Sequence, residues 1–272
     1  MIVRYGSPAY ILSLILPIAL CALLFFVLRH RSERTQRAVI LSIMIVNVLQ
    51  HLLKTLIYPH LNLAGFSALS MAYNMCALLI LLSPVAFFVK FSPLRDFIYL
   101  IGMFAGILAV AIPYWSIGKP AWDPDFLRSL FCHTLLFLSS GLTVLLGLHK
   151  PTRKTFWFIG VEFIVALGII VLNNCLALAL DIDPGVSTAD MSFTDALYAT
   201  NSVWMFGPPE SFSWVVSLAK WILPDFLVVL SDGRCVPVLW YSIPLYVLLT
   251  IISYPICRFF IWYQERFAKE PR

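Results

Sequence analysis

Seven apolar runs follow one another along the chain, at about 8–28, 38–57, 66–89, 97–115, 128–147, 155–180 and 238–262. Each is near or above the ~20 residues that an α-helix, rising ~1.5 Å per residue, needs to cross a bilayer. The pattern predicts an all-α membrane protein, a seven-transmembrane-helix bundle forming one polytopic domain over residues 1–272. The first run is too long for the core of a signal peptide and has no convincing small-residue cleavage site, so it reads as a mature helix.

The linkers between the runs set the orientation. Arg29, Arg31, Arg34 and Arg37 follow the first run, Lys90 and Arg95 the third, Lys150, Arg153 and Lys154 the fifth, and Arg258, Arg266, Lys269 and Arg272 close the chain. The alternate linkers 58–65 and 116–127 carry Lys119 and no other lysine, and 58–65 no arginine. The positive-inside rule therefore predicts the amino terminus outside and the carboxyl terminus in the cytoplasm. The long loop of about 181–237 is acidic, with Asp181, Asp183, Asp190, Asp195, Glu210, Asp225 and Asp232 against Lys220 and Arg234, as an external loop can be. Within it, Ser211 to Leu230 is apolar enough to suggest an eighth span. Lys220, Pro224 and Asp225 argue instead for a helix lying at the interface, where Trp214 and Trp221 belong. Tyr58, Tyr114, Trp115, Trp122, Trp157, Trp262 and Tyr263 recur at the run ends and read as an interfacial belt.

Composition agrees. Hydrophobic residues make up 61% and charged residues 12%, and the mean hydropathy is +0.89, whereas soluble domains lie near 45–50% apolar and about 25% charged. The net charge of +5 is spread over short clusters between apolar runs, which reads as membrane orientation and not as a nucleic-acid-binding face. Five of the six cysteines lie in or at the edge of apolar runs and no CxxC pair occurs, so neither a disulfide framework nor a zinc site is expected. No motif implies a cofactor or a protein partner. The expected location is a membrane, crossed several times; in a bacterium this would be the cell membrane.

Against this apolar background the polar residues acquire depths. The second run places Asn47, Gln50, His51 and Lys54 at i, i+3, i+4 and i+7, one stripe of a helix. If the third run is helical throughout, Cys76 lies about ten residues (~15 Å) inside the outer surface, with Asn74 a little higher and about 200° away around the helix. His133 in the fifth run and Asn173 with Asn174 in the sixth lie five to seven residues (~8–10 Å) from the same surface. Each such group costs free energy in hydrocarbon, and their concentration in one half of the bilayer points to a cavity opening outward. Interhelical hydrogen bonding is the competing role for Gln50, Asn173 and Asn174, and snorkelling to the headgroups for Lys54.

A thiol in an apolar pocket is held neutral, which works against nucleophilic attack, so a proton acceptor is needed as well as a nearby charge. The cluster accordingly suggests a Cys76–His133 dyad that forms an acyl-thioester from a lipid ester, with Asn74, Lys54 or the two asparagines stabilising the oxyanion and His51 and Gln50 in the same polar set. Cys132 is a rival nucleophile. A metal site from His51, His133 and a loop aspartate is conceivable but lacks a ligand-pair spacing, so none is assigned.

Lys54-Thr55-Leu56-Ile57-Tyr58, the Asn74-x-Cys76 element, His133, Asn173-Asn174 and Gly207-Pro208 together resemble the YwaF-like integral membrane family, which includes animal transmembrane acyltransferases acting on ether phospholipids. The resemblance runs through most of the chain in span order. It implies a seven-helix protein with Cys76 as catalytic cysteine and His133 as its partner. The expectation is then a lipid acyltransferase, or an acyl hydrolase using water, with a phospholipid donor and a lysolipid acceptor drawn from the membrane. The alternative from the residues themselves is a non-enzymatic transporter or small-molecule-binding protein that uses the cavity, with Lys54 and Glu162 as pathway charges.

Overall fold

The computed structural model describes residues 2–57, 71–113, 116–152, 156–180, 182, 190–200, 207–208, 213–231, 233–236 and 239–267. The expected interfacial residues Tyr58, Tyr114 and Trp115, the linker 58–65, the start of the third apolar run, much of the long acidic loop and the last five residues lie outside these. Among the described residues the structure is helical, apart from two isolated bridges, Ile2 with Pro120 and Val229 with Cys235.

Six long helices match their apolar runs closely: α1 (Pro8–Leu28), α2 (Glu33–Leu52), α5 (Ser92–Ala111), α6 (Pro124–Leu145), α7 (Phe156–Ala179) and α11 (Leu239–Phe267). Their limits have local causes. Ser7 and Ser32 cap α1 and α2 by accepting from the backbone N–H groups of Tyr10 and Thr35. Asp123 caps α6 through the N–H groups of Asp125 and Phe126, with Pro124 in the first helical position, where its missing N–H costs nothing. The second run is not one helix. It ends at Leu52, turns at Leu53, and resumes as the single turn α3 (Lys54–Ile57).

The third run departs furthest from expectation. Its described helix, α4 (Met75–Phe88), has 14 residues, about 21 Å, which is less than the ~30 Å hydrocarbon thickness. Among the described residues five helices, α1, α5, α6, α7 and α11, are long and apolar enough to cross a membrane. Two fall short, α2 by polarity and α4 by length; α2 carries Asn47, Gln50 and His51, and α4 carries Cys76. In the long acidic loop α8 (Phe193–Thr200) is followed by α9 (Trp214–Ile222) and α10 (Asp225–Val228), broken at Leu223–Pro224. The nine residues of α9 span about 14 Å, well short of the ~30 Å hydrocarbon thickness.

The bundle is organised around α6, which packs against α1, α2, α4, α5 and α11. Its closest neighbour is α5, because a glycine faces it on two successive turns. A Cβ on Gly106 would lie 2.7 Å from the Phe137 amide nitrogen and 2.8 Å from the His133 carbonyl oxygen, and one on Gly102 would meet the Ser140 hydroxyl. Small residues allow this approach, which in lipid replaces hydrophobic driving force with dispersion contacts. Helix α1 contributes one stripe, Ala9, Ser13, Pro17 and Cys21, to the interior and exposes the rest of its apolar surface, as a lipid-facing helix does.

Candidate functional site

The site grows out of the start of α4. Asn74 is not part of that helix. Its backbone is extended (φ −146°, ψ 174°), and its Oδ1 accepts the Ala77 N–H at 2.8 Å. The expected 200° separation of Asn74 from Cys76 therefore does not hold: Asn74 is the N-cap and Cys76 lies in the first turn beneath it. A helix start leaves its first backbone N–H groups without intrahelical acceptors and carries roughly half a positive charge. Both are directed at the end where the half-buried Cys76 thiol lies. Before the cap, Met71–Tyr73 are non-helical. Irregular backbone at this depth is tolerated where protein or a cavity surrounds it.

Helix α2 grips that segment. His51 Nε2 lies 3.0 Å from the Met71 carbonyl oxygen, which can only accept, so the proton is on Nε2. The His51 ring is parallel to Tyr73, with centroids 6.4 Å apart, and the Lys54 ammonium stands 4.8 Å from the centre of the same tyrosine ring. Lys54 is 3% exposed, so it does not snorkel to water. The stripe is completed on the α6 side: Gln50 donates to Asn47 Oδ1 at 2.9 Å, and Asn47 donates to the Cys132 carbonyl oxygen at 3.1 Å. All four stripe residues are buried. Gln50 and Cys76 both lie within electrostatic reach of the Cys132 side chain. Cys76 and Cys132 thus belong to one cluster with Lys54 and Tyr73.

Asn47 meets Cys132, whereas His51 near the end of α2 and Lys54 at the start of α3 lie within electrostatic reach of Arg128, one turn earlier in α6. The two helices therefore run antiparallel past the site. His133, one residue on and about 100° around α6, lines a small cavity with Ala109, Val110, Pro113 and Phe126 on its α5 side. Its Nδ1 is 2.8 Å from the Ser129 carbonyl oxygen and 3.1 Å from the Ser129 hydroxyl. The carbonyl contact places the proton on Nδ1 and leaves Nε2 as the basic nitrogen. Asn173 and Asn174 sit on α7, which packs against α4, α5 and α11, with Asn174 buried. Among the described residues no three His, Cys, Asp or Glu side chains converge to hold a metal ion.

A model of transmembrane proteins, the TMEM164 family, matches residues 5–231. The chain belongs to the TMEM164 family. The match spans the whole candidate site, from α2 through α6, and ends before α11. Comparison with curated proteins and with solved structures finds no match. Family membership and the apolar helices together make the chain a multi-pass membrane protein.

A second polar network, which sequence reasoning missed, lies among the basic linkers. Asp96 in α5 (0% exposed) is bonded to His149 Nε2 (4% exposed) at 2.5 Å and accepts the Thr152 N–H at 3.3 Å. Gln264 of α11 donates to the His149 and Val144 carbonyl oxygens at 2.9 and 2.8 Å. Arg95 donates to the Leu148 carbonyl oxygen at 3.2 Å. Asp96 follows Arg95 and His149 precedes Lys150, so in sequence both look like parts of the basic linkers.

Proposed function

We propose that this TMEM164-family protein is a membrane-embedded lipid acyltransferase, or an acyl hydrolase where water replaces the lipid acceptor, with Cys76 as nucleophile. The YwaF-like resemblance and its acyltransferase members support this reading. So does the placement of a thiol in the first turn of a capped helix, inside a polar cluster that the bundle buries. That placement is the observation on which the proposal rests. In this reading the chain crosses the membrane seven times, with α2–α3 and the 66–89 segment completing the five apolar helices. The amino terminus is outside, and α9 lies at the outer interface.

The reaction follows from the groups present. The Cys76 sulfur attacks the carbonyl carbon of a phospholipid ester, and its proton passes to a histidine nitrogen. The tetrahedral oxyanion is met by the N–H groups at the start of α4, by the Asn74 amide and by Lys54. The carbon–oxygen bond to the lysophospholipid breaks as the histidine returns the proton to the leaving oxygen, which leaves the acyl-thioester. A lysolipid hydroxyl then attacks the thioester carbon, gives its proton to the histidine, and releases the Cys76 sulfur, which is reprotonated. We assign His133 as the base, through Nε2, on the resemblance; its ring lines the α5-side cavity, about 100° around α6 from the Cys132 that acts on Cys76, so the dyad requires the His133 side chain to turn toward the thiol. A second reading has its own support: with the His51 proton on Nε2, its Nδ1 is basic, and its ring stacks on Tyr73 three residues before Cys76.

Labelling with a lipid-like electrophile tests the proposal. Labelling should be lost in Cys76→Ser and slowed at least tenfold by His133→Gln. Labelling that persists in Cys76→Ser but vanishes in Cys132→Ser would move the nucleophile. Loss with His51→Gln and not with His133→Gln would move the base. Full labelling of both cysteine variants, with uptake lost in Lys54→Ala, would replace the enzyme with a transporter.

A further inference from the structure

Lys54 has a charge that its surroundings do not answer. Its side chain is 3% exposed, and among the described residues neither a hydrogen bond nor an ion pair holds its ammonium; its recorded contact is the face of Tyr73 at 4.8 Å. A tyrosine face returns only part of the desolvation cost of a buried ammonium. A second cation lies within its electrostatic reach, Arg128. Arg128 is paired at 3.6 Å with Asp125, a carboxylate that Lys119 also holds at 3.5 Å. An intramembrane lysine kept at such a cost, beside an arginine and facing a thiol cluster, is arranged for an anion that arrives from outside the chain.

Spacing identifies the anion. Arg128 stands four residues before Cys132 in α6, on the same face and about 6 Å along the axis. In a glycerophospholipid five covalent bonds separate the phosphorus from the carbonyl carbon of the central ester, a reach of about 5–6 Å. A phosphate held at the Lys54–Arg128 level therefore sets that ester at the level of Cys132 and Cys76. We propose that Lys54 and Arg128 form a phosphate subsite that seats the head group of a glycerophospholipid. The register depends on the reading of Cys76 as the acyl-accepting thiol, whereas the sign of the site depends on Lys54 alone. A guanidinium matches two phosphate oxygens at once, and the ammonium supplies a point charge on a third.

Binding can be measured without chemistry. Full-length Cys76→Ala protein in a non-ionic detergent is titrated with phosphatidylcholine, with diacylglycerol and with inorganic phosphate, and retention is read by native mass spectrometry. Phosphatidylcholine should be retained at least tenfold more strongly than diacylglycerol. Adding Lys54→Met should reduce phosphatidylcholine retention about tenfold or more, and Lys54→Arg should restore most of it. Lys54→Met removes an unpaired buried charge, so its melting temperature should be no lower than that of the parent. Equal retention of phosphatidylcholine and diacylglycerol, or unchanged retention in folded Lys54→Met, overturns the subsite. Displacement by millimolar inorganic phosphate, with phosphatidylcholine bound no better than diacylglycerol, would assign the site to a free anion and overturn the lipid assignment. Because the thiol is absent throughout, a failure of acyl transfer leaves these outcomes intact.

Discussion

The sharpest test of the packing is the Asp96–His149 pair. Asp96→Leu leaves the buried His149 Nε2 without its acceptor and the Thr152 N–H without Asp96 Oδ2. Removing one partner of a fully buried pair costs about 3–5 kcal/mol, because the desolvated survivor has nowhere to turn. At about 2–4 °C per kcal/mol for a chain of this size, the melting temperature should fall by roughly 6–20 °C. The double variant Asp96→Leu/His149→Phe removes both polar groups, so it should lose less than the sum of the two single variants. An internal contrast is available in Arg37–Glu33, 2.7 Å apart but 41% and 59% exposed. Glu33→Gln should cost no more than about 1 kcal/mol. The assay is thermal unfolding in detergent, followed by fluorescence-detected size exclusion at fixed heating time. A loss below about 1 kcal/mol for Asp96→Leu, or strict additivity in the cycle, would refute the claim that this pair ties α5 to the α6–α7 linker.

The helix contacts and caps give three further tests. Gly106→Ala drives a methyl against backbone atoms that cannot yield and should cost about 1–3 kcal/mol, more than Gly102→Ala, which meets a rotatable Ser140 hydroxyl; the paired melting temperatures decide it, and a reversed order counts against the α5–α6 geometry. Asn74→Ala should cost about 1 kcal/mol and slow labelling of Cys76, while Asn74→Asp keeps the cap; equal labelling rates in all three proteins would separate the cap from the thiol. In the long acidic loop, the Ser192 hydroxyl and then Arg234, 3.1 Å away, favour the Asp195 carboxylate and hold its pKa below the ordinary 3.8. A depressed folded value means the tether is complete above about pH 3.8 and fades as pH falls below it. Limited proteolysis of α8 should therefore be unchanged from pH 7 to 5 and quicken only below that window; a change between pH 7 and 5 would contradict the assignment.

Much of the helical framework was legible in one dimension. Hydrocarbon thickness imposes a length on any apolar segment that crosses it, and backbone groups in lipid must be satisfied within the segment. The limits of α1, α7 and α11 therefore sit within a few residues of their apolar runs, apart from the last turn of α11. The polar stripe Asn47, Gln50, His51, Lys54 was also readable, because periodicity alone puts those residues on one face, and the structure buries all four.

Tertiary structure decided which groups meet. An apolar run has no marker for where a helix begins inside it, so the cap at Asn74, and with it the position of Cys76 in a first turn, had to come from coordinates. Sequence spacing fixes angles within a helix but not the rotation of one helix against the next. The interhelical contacts thus decided that Cys132 of α6 lies within electrostatic reach of Cys76 of α4, while His133 lines a cavity on the α5 side. The same reason hid Asp96 and His149: beside arginine and lysine they look like solvated linker, and only the approach of α5, α11 and the α6–α7 linker removes them from water and turns two unremarkable residues into a buried pair.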